Sequence, residues 1–333
     1  MIQDRKVRGR DAFQTDQRFS TDNGLYYSTP KGLFYLGLSE DVLSNQSLKD
    51  LKGKIQLIFT SPPFPLNRKK KYGNLQGSEY ASWLSNFAPL FSEFLTPDGS
   101  IVIELGNAWN PGAPTVSTLP MEALLKFKEI GNLHLCQEFI CYNPARLPTP
   151  AQWVTIERIR AKDAFTRLWW FSQTPRPKAD NRQALKKYSP AMKKLLKTGK
   201  YNSGRRPSEH VIGEQSFLRD NDGAIAPNVI IAANTSSSDS YLEYCRENGL
   251  EYHPSRMPAD LAEFFVNFLT ETDDWIMDPF AGSNVTGAVA ERLGRRWISI
   301  EPNEEYAKGS IGRFVKAGID TEVFKNNLET ANE

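Results

Sequence analysis

Two short stretches hold the residues best suited to chemistry. Thr60-Ser61-Pro62-Pro63-Phe64 follows the apolar run Lys54-Ile55-Gln56-Leu57-Ile58-Phe59. The run has strand character, and two prolines cannot continue a sheet ladder, so the strand stops there. Ser61 is then fixed at a strand's C-terminal edge, where open α/β sheets bind ligands. Taken alone, the stretch reads equally well as a rigid turn. The second stretch, Trp275-Ile276-Met277-Asp278-Pro279-Phe280-Ala281-Gly282-Ser283-Asn284-Val285-Thr286-Gly287, passes from a short strand through a glycine turn into a helix. Such a turn lets backbone N–H groups and a helix N-terminus approach a charged ligand. The next strand, Arg295-Arg296-Trp297-Ile298-Ser299-Ile300-Glu301, ends on a carboxylate, the place where a βαβ unit holds ribose hydroxyls. The glycine stretch is not G-x-G-x-x-G, which disfavours a dinucleotide dehydrogenase.

With these motifs in this order, the chain resembles the amino-methylating DNA methyltransferases of the circularly permuted β type. In that family an S-P-P-F/Y catalytic motif precedes an F-x-G-x-G cofactor motif. Among them it is similar to the PvuII-type cytosine-N4 enzymes. Phe280 and Gly282 match, and Asn284 stands where the second glycine is usual. The resemblance runs from about 25 to about 314 and includes the loop at 68–74, the segment 163–172 and His253-Pro254-Ser255-Arg256. It implies S-adenosyl-L-methionine as cofactor, double-stranded DNA as substrate, and the N4 amine of cytosine as target. The N6 amine of adenine is the alternative, and an inactive DNA-binding homologue is less favoured. A base inside a duplex cannot reach such an edge, so base flipping is implied. The amine's lone pair is delocalised into the ring. Ser61 and the Pro62 carbonyl are implied to accept its two hydrogens, with Pro63 fixing the turn and Phe64 stacking on the ring. Glu104 stands where the family usually has Asp, and serves as a proton relay or as a structural acceptor. The cofactor set implied is His253, Ser255, Arg256, Asp278, Phe280, Gly282, Ser283, Asn284, Thr286 and Glu301. Carbon-5 methylation needs a Pro-Cys nucleophile, and Cys136, Cys141 and Cys245 offer none.

Positioning these groups calls for an α/β doubly wound, mostly parallel sheet: a Rossmann-like S-adenosylmethionine-dependent methyltransferase fold, circularly permuted, with an inserted target-recognition region. The expected division is an N-terminal arm at 1–24, mobile rather than DNA-touching, a catalytic half at 25–174, the insert at 175–250 and a cofactor half at 251–333. Core strands are expected at 33–37, 55–60, 100–105, 134–142, 163–172 and 275–278. A turn is expected at 96–99. Helices are expected at 79–94, 118–131 and 261–269. Trp83, Phe87, Leu90, Phe91 and Phe94 fall at helical spacing as core positions. Trp169-Trp170-Phe171 reads as core rather than as a base-stacking platform. Leu38 stands near where the family has an acid beside the cofactor's adenine.

The formal net charge is +2, so a polyanion must be met by local basic patches. One follows Phe64: Arg68, Lys69 and Lys70. The other lies within 181–208, a run holding no acid, with Lys193, Lys194, Lys197, Arg205 and Arg206; Ser208 and His210 adjoin it. Lysines attract phosphates and arginines can read guanine, whereas a solvated surface is the plainer reading of either run. Three cysteines without a C-x-x-C pair, and three histidines, give no metal pattern. No apolar run approaches a membrane span and the N-terminus lacks a signal-peptide core, so the expected setting is cytoplasmic, with no membrane partner. A cognate restriction endonuclease is the expected functional partner.

Overall fold

Every residue of the strand Ile55–Thr60 is buried. A strand buried at every position, apolar at Ile55, Leu57, Ile58 and Phe59, is one covered on both faces. Leu57 and Phe59 join one hydrophobic core, with Phe265, Val266 and Val289. Ile58 joins the other, with Leu84, Phe87 and Phe91. The computed structural model describes residues 24–64, 77–233 and 239–324. The arm at 1–23 and the loop cations Arg68, Lys69 and Lys70 lie outside the described residues.

The strands are β1 (Leu25–Ser28), β2 (Gly32–Leu36), β3 (Ile55–Thr60), β4 (Leu95–Gly106), β5 (His134–Tyr142), β6 (Phe165–Ser172), β7 (Gly204–Arg205), β8 (Val211–Ile212), β9 (Val229–Ile231), β10 (Trp275–Asp278), β11 (Arg296–Glu301) and β12 (Glu322–Val323). Among the described residues one sheet of ten strands runs β12-β1-β2-β11-β10-β3-β4-β6-β5-β9. Its centre, β2-β11-β10-β3-β4, is parallel throughout. From β3 the chain passes through the helix Gly77–Phe94 to β4; from β10 it passes through Val285–Arg292 to β11, on the other side. The two crossovers diverge between β3 and β10, and that divergence is the switch point at which an open sheet forms its crevice. The expected doubly wound sheet is therefore observed, with its two distant motifs on neighbouring strands.

Several elements differ from expectation. β1 was not foreseen. Tyr27 fixes it, fully buried, stacked on Phe34 at 4.6 Å and joined through its hydroxyl to Ser310 at 2.8 Å. The expected turn at 96–99 lies within β4, where the register jumps from Leu95 opposite Ile55 to Ser100 opposite Leu57. In the helix Gly77–Phe94, Phe87, Phe91 and Phe94 are buried, whereas Trp83 and Leu90 are only partly so. Trp169, Trp170 and Phe171 are core residues. Within 175–250, β9 adds to the main sheet beside β5, and the helix Ser240–Glu247 packs against the helices Glu304–Ser310 and Gly312–Val315. The reason is apolar burial: Ile230, Tyr241 and Cys245 have to be covered by the body.

Candidate active site

A cavity of about 720 Å³ opens at the C-terminal ends of β3 and β10. Its walls include Ser61, Pro62, Pro63, Phe64, Glu104, His253, Ser255, Arg256, Asp278, Phe280, Gly282, Ser283, Thr286 and Glu301. All but one of the expected catalytic and cofactor residues thus converge. Asn284 is the exception. It is fully buried at φ 54°, where it caps the helix Val285–Arg292. Its Oδ1 accepts from Gly287 N at 3.1 Å and Ser299 Oγ at 2.7 Å, and its Nδ2 donates to Tyr27 at 2.9 Å. The side chain is used inside the fold.

On the β3 side, Ser61 and Glu104, near the end of β4, line the same wall, and the Ser61 hydroxyl favours the ionised carboxyl. Glu104 is 7% exposed and accepts from Thr166 Oγ1 at 2.7 Å. Burial raises its pKa, against the two hydroxyls and the charge of Arg146. Phe64 reaches in over Gly106, where a Cβ would come within 2.5 Å of the ring. Only a residue without a side chain leaves that space.

On the β10 side two carboxyls are held in place by the fold. Asp278 accepts from Thr60 Oγ1 and Thr286 Oγ1, each at 2.7 Å, and from Phe280 N at 3.2 Å. Burial outweighs those bonds and lifts its pKa to about 6. Glu301 accepts from Gly282 N at 2.9 Å and Asn303 N at 3.0 Å. Burial, helped by the charge of Asp278, lifts it to about 7. A carboxylate has about four acceptor sites, so two remain for ligand hydroxyls. Gly282, at φ +53°, lies against the His253 ring, with 3.1 Å between that ring and the place of a Cβ. Leu38, 56% exposed, stands at the cavity wall and offers an apolar surface there.

Sequence reasoning missed Arg313. It pairs with Asp239 at 2.9 and 3.2 Å and donates to the Ser283 carbonyl at 2.6 Å and hydroxyl at 3.0 Å. Asp239 caps the helix Ser240–Glu247, whose Tyr241 hydroxyl accepts from His253 N at 2.7 Å. Both cofactor motifs are thereby tied to one arginine that no motif marks. Tyr80, Trp83, Asn143, Arg146 and Thr166 also line the cavity. Thr166 was recoverable only through strand register, opposite Gly106.

Those of the expected DNA-binding residues that are described do not line the cavity. Lys193, Lys194 and Lys197 are exposed on the helix Pro190–Thr198. Arg205, Ser208 and His210 are exposed, with Arg205 paired to Glu209 at 3.2 Å. Arg206 is partly buried and donates to the Asn202 carbonyl at 2.9 Å. Among the described residues no cluster of His, Cys, Asp and Glu is arranged to hold a metal, and no helix is long and apolar enough to cross a membrane.

Sheet order and the position of the cleft place the chain among the Rossmann-like methyltransferases. Comparison then fixes the family. A family model described as DNA methylase matches residues 55–312, and the chain belongs to that family. It is 43% identical over 298 residues to the type II methyltransferase M.PvuII of Proteus hauseri, covering 89% of this chain and 87% of that protein. The solved structure of the PvuII DNA methyltransferase (cytosine-N4-specific) superposes with a TM-score of 0.69 at 36% identity, covering 90% of this chain and 89% of that one. The fold is shared with TTHA0409 of Thermus thermophilus, a putative DNA modification methylase solved with S-adenosyl-L-methionine, at a TM-score of 0.51 and 18% identity over 85% of this chain and 93% of that one.

Proposed function

We propose that the protein transfers a methyl group from S-adenosyl-L-methionine to the N4 amine of cytosine in double-stranded DNA, with the target base turned out into the cleft. The observation that carries this reading is Ser61 beside buried Glu104 in the cleft, at the edge of the strand next to β10. The cytosine-N4 specificity in the name of the similar PvuII structure supports the choice of base. The cavity volume falls within the range of about 300–1,000 Å³ usual for small-ligand sites. Glu301 keeps acceptor sites for two ribose hydroxyls, and the turn at Gly282 admits close backbone approach. These residues fit the cofactor, which supplies an electrophilic methyl group when bound.

Ser61 Oγ and the Pro62 carbonyl accept the two amino hydrogens, which frees the nitrogen lone pair to point away from the ring. Phe64 holds the ring by stacking. Fixing nitrogen and methyl at near-attack distance supplies much of the acceleration. The amine's proton leaves to Ser61 Oγ as the hydroxyl proton passes to Glu104. Burial favours this step by raising the proton affinity of Glu104. The lysines of Pro190–Thr198 hold the DNA backbone. The cytoplasm, where chromosomal DNA lies, is the place of action, and a restriction endonuclease of the same sequence specificity is the functional counterpart.

Digesting DNA methylated by the protein to nucleosides and weighing them tests the target atom. N4-methylcytosine is expected; N6-methyladenine as the main product would overturn the choice of base. Ser61→Ala is expected to lose most transfer while binding cofactor as the wild type does in calorimetry.

A further inference from the structure

We infer that Arg146 is the residue by which the cleft distinguishes cytosine from adenine, its guanidinium fork donating to cytosine N3 and O2; this rests on the cytosine-N4 reading above. Arg146 lines the same cavity as Ser61 and Glu104, near enough for its charge to favour ionised Glu104. The turn that carries it is held from several sides. Asn143 Oδ1 accepts from Ala145 N at 3.0 Å, and Arg146 N donates to the Asn143 carbonyl at 3.2 Å. Lys162 Nζ donates to the carbonyls of Pro144 and Arg146 at 3.3 and 2.9 Å. Among the described residues the guanidinium itself makes one long bond, from Nη1 to the Phe165 carbonyl at 3.5 Å. A guanidinium carries five donors, so most of the fork is open to a ligand.

The edges of the two bases differ in a way this fork can read. Beside its exocyclic amine cytosine presents N3 and then O2, both acceptors. Adenine presents N1 and then a C–H, which accepts nothing. Two parallel N–H donors are both satisfied by cytosine, and one is stranded against adenine, which is the costly case in a closed site. Glu104 is engaged with Thr166, and Asn143 Oδ1 with its own turn.

The test uses duplexes whose target base is cytosine, 3-deazacytosine, in which N3 is replaced by C–H, or adenine. Wild type is expected to show kcat/KM about tenfold or more higher for cytosine than for 3-deazacytosine, the size of a bidentate base contact. Arg146→Lys keeps a charge beside Glu104 and loses the planar fork; most of that ratio should disappear. An unchanged ratio in Arg146→Lys overturns the inference. So does a uniform loss on all duplexes with a flatter salt dependence, which marks a phosphate contact. If the variant does not bind cofactor, the wild-type ratio alone decides, and a value near one overturns the inference. Preference of the wild type for adenine would instead remove the cytosine-N4 reading itself.

Discussion

Asp278 and Glu301 are carboxyls whose proton affinity the fold raises from the usual 3.8 and 4.5 to about 6 and about 7. In the pH range between those values the folded chain keeps protons that the unfolded chain has lost. Their contribution to stability is therefore complete in acid and fades as pH rises through about 6 and then about 7. For Asp278 the loss is on the order of 3 kcal/mol. Melting temperatures of the ligand-free protein between about pH 4 and pH 6.5 should accordingly fall more steeply in wild type than in Asp278→Asn; parallel curves would contradict the assignment. Glu301 acts on ligand affinity in the opposite sense. Ribose hydroxyls donate to the ionised form, so cofactor affinity should rise through about pH 7. Calorimetry should show that rise in wild type and little of it in Glu301→Gln. The chemistry of both residues could be read from the sequence, because each ends a strand before a turn. The side-chain use of Asn284 could not, since a motif position does not say which way an amide points in a left-handed turn.

At the scale of elements, Gly106 and Phe64 illustrate how a strand end shapes a pocket. The 2.5 Å approach that a Cβ at Gly106 would make to the ring means that Gly106→Ala has to displace Phe64. Misplacing a substrate-holding group by about 1 Å costs on the order of a hundredfold in rate. Gly106→Ala should therefore lower kcat strongly while cofactor affinity, measured separately, stays as in wild type. Elements with long apolar runs or helical spacing were legible in advance: β3, β6, and the helices Gly77–Phe94 and Leu119–Ile130. β1, β9 and β12, with 4, 3 and 2 residues, were not. Strands so short carry no usable period, and no motif marks these three as one marks the equally short β10. Their pairing is decided by partners far along the chain, as with Tyr27 and Ser310.

Across the whole molecule, the basic helix lies outside the walls of the cleft. Lys193, Lys194 and Lys197 project from the exposed face of Pro190–Thr198 and line none of the cavity. Replacing all three with Ala should weaken binding to every DNA sequence alike. Each lost phosphate contact should lower the slope of log affinity against log salt by about one. An unchanged slope would return the helix to ordinary solvated surface. The charge of this segment was legible because it is a run of one sign; its attachment to the body was not, because β9 and Ser240–Glu247 are recognisable only by what covers them.

The pairing of β3 with β10 bears on how the molecule comes into being. Thr60 and Asp278, bonded across these strands, are 218 residues apart. During synthesis, β3 can find β4 early, but its other flank stays bare until Trp275–Asp278 has left the ribosome. An apolar strand with an open edge is a template for pairing with another chain. The nascent polypeptide thus spends most of its translation with this apolar edge uncovered, and holds no cleft until all but about the last sixth of the sequence has emerged. A chain ending before Trp275 would lack the strand that pairs with β3 and carries Asp278, and so one wall of the cleft.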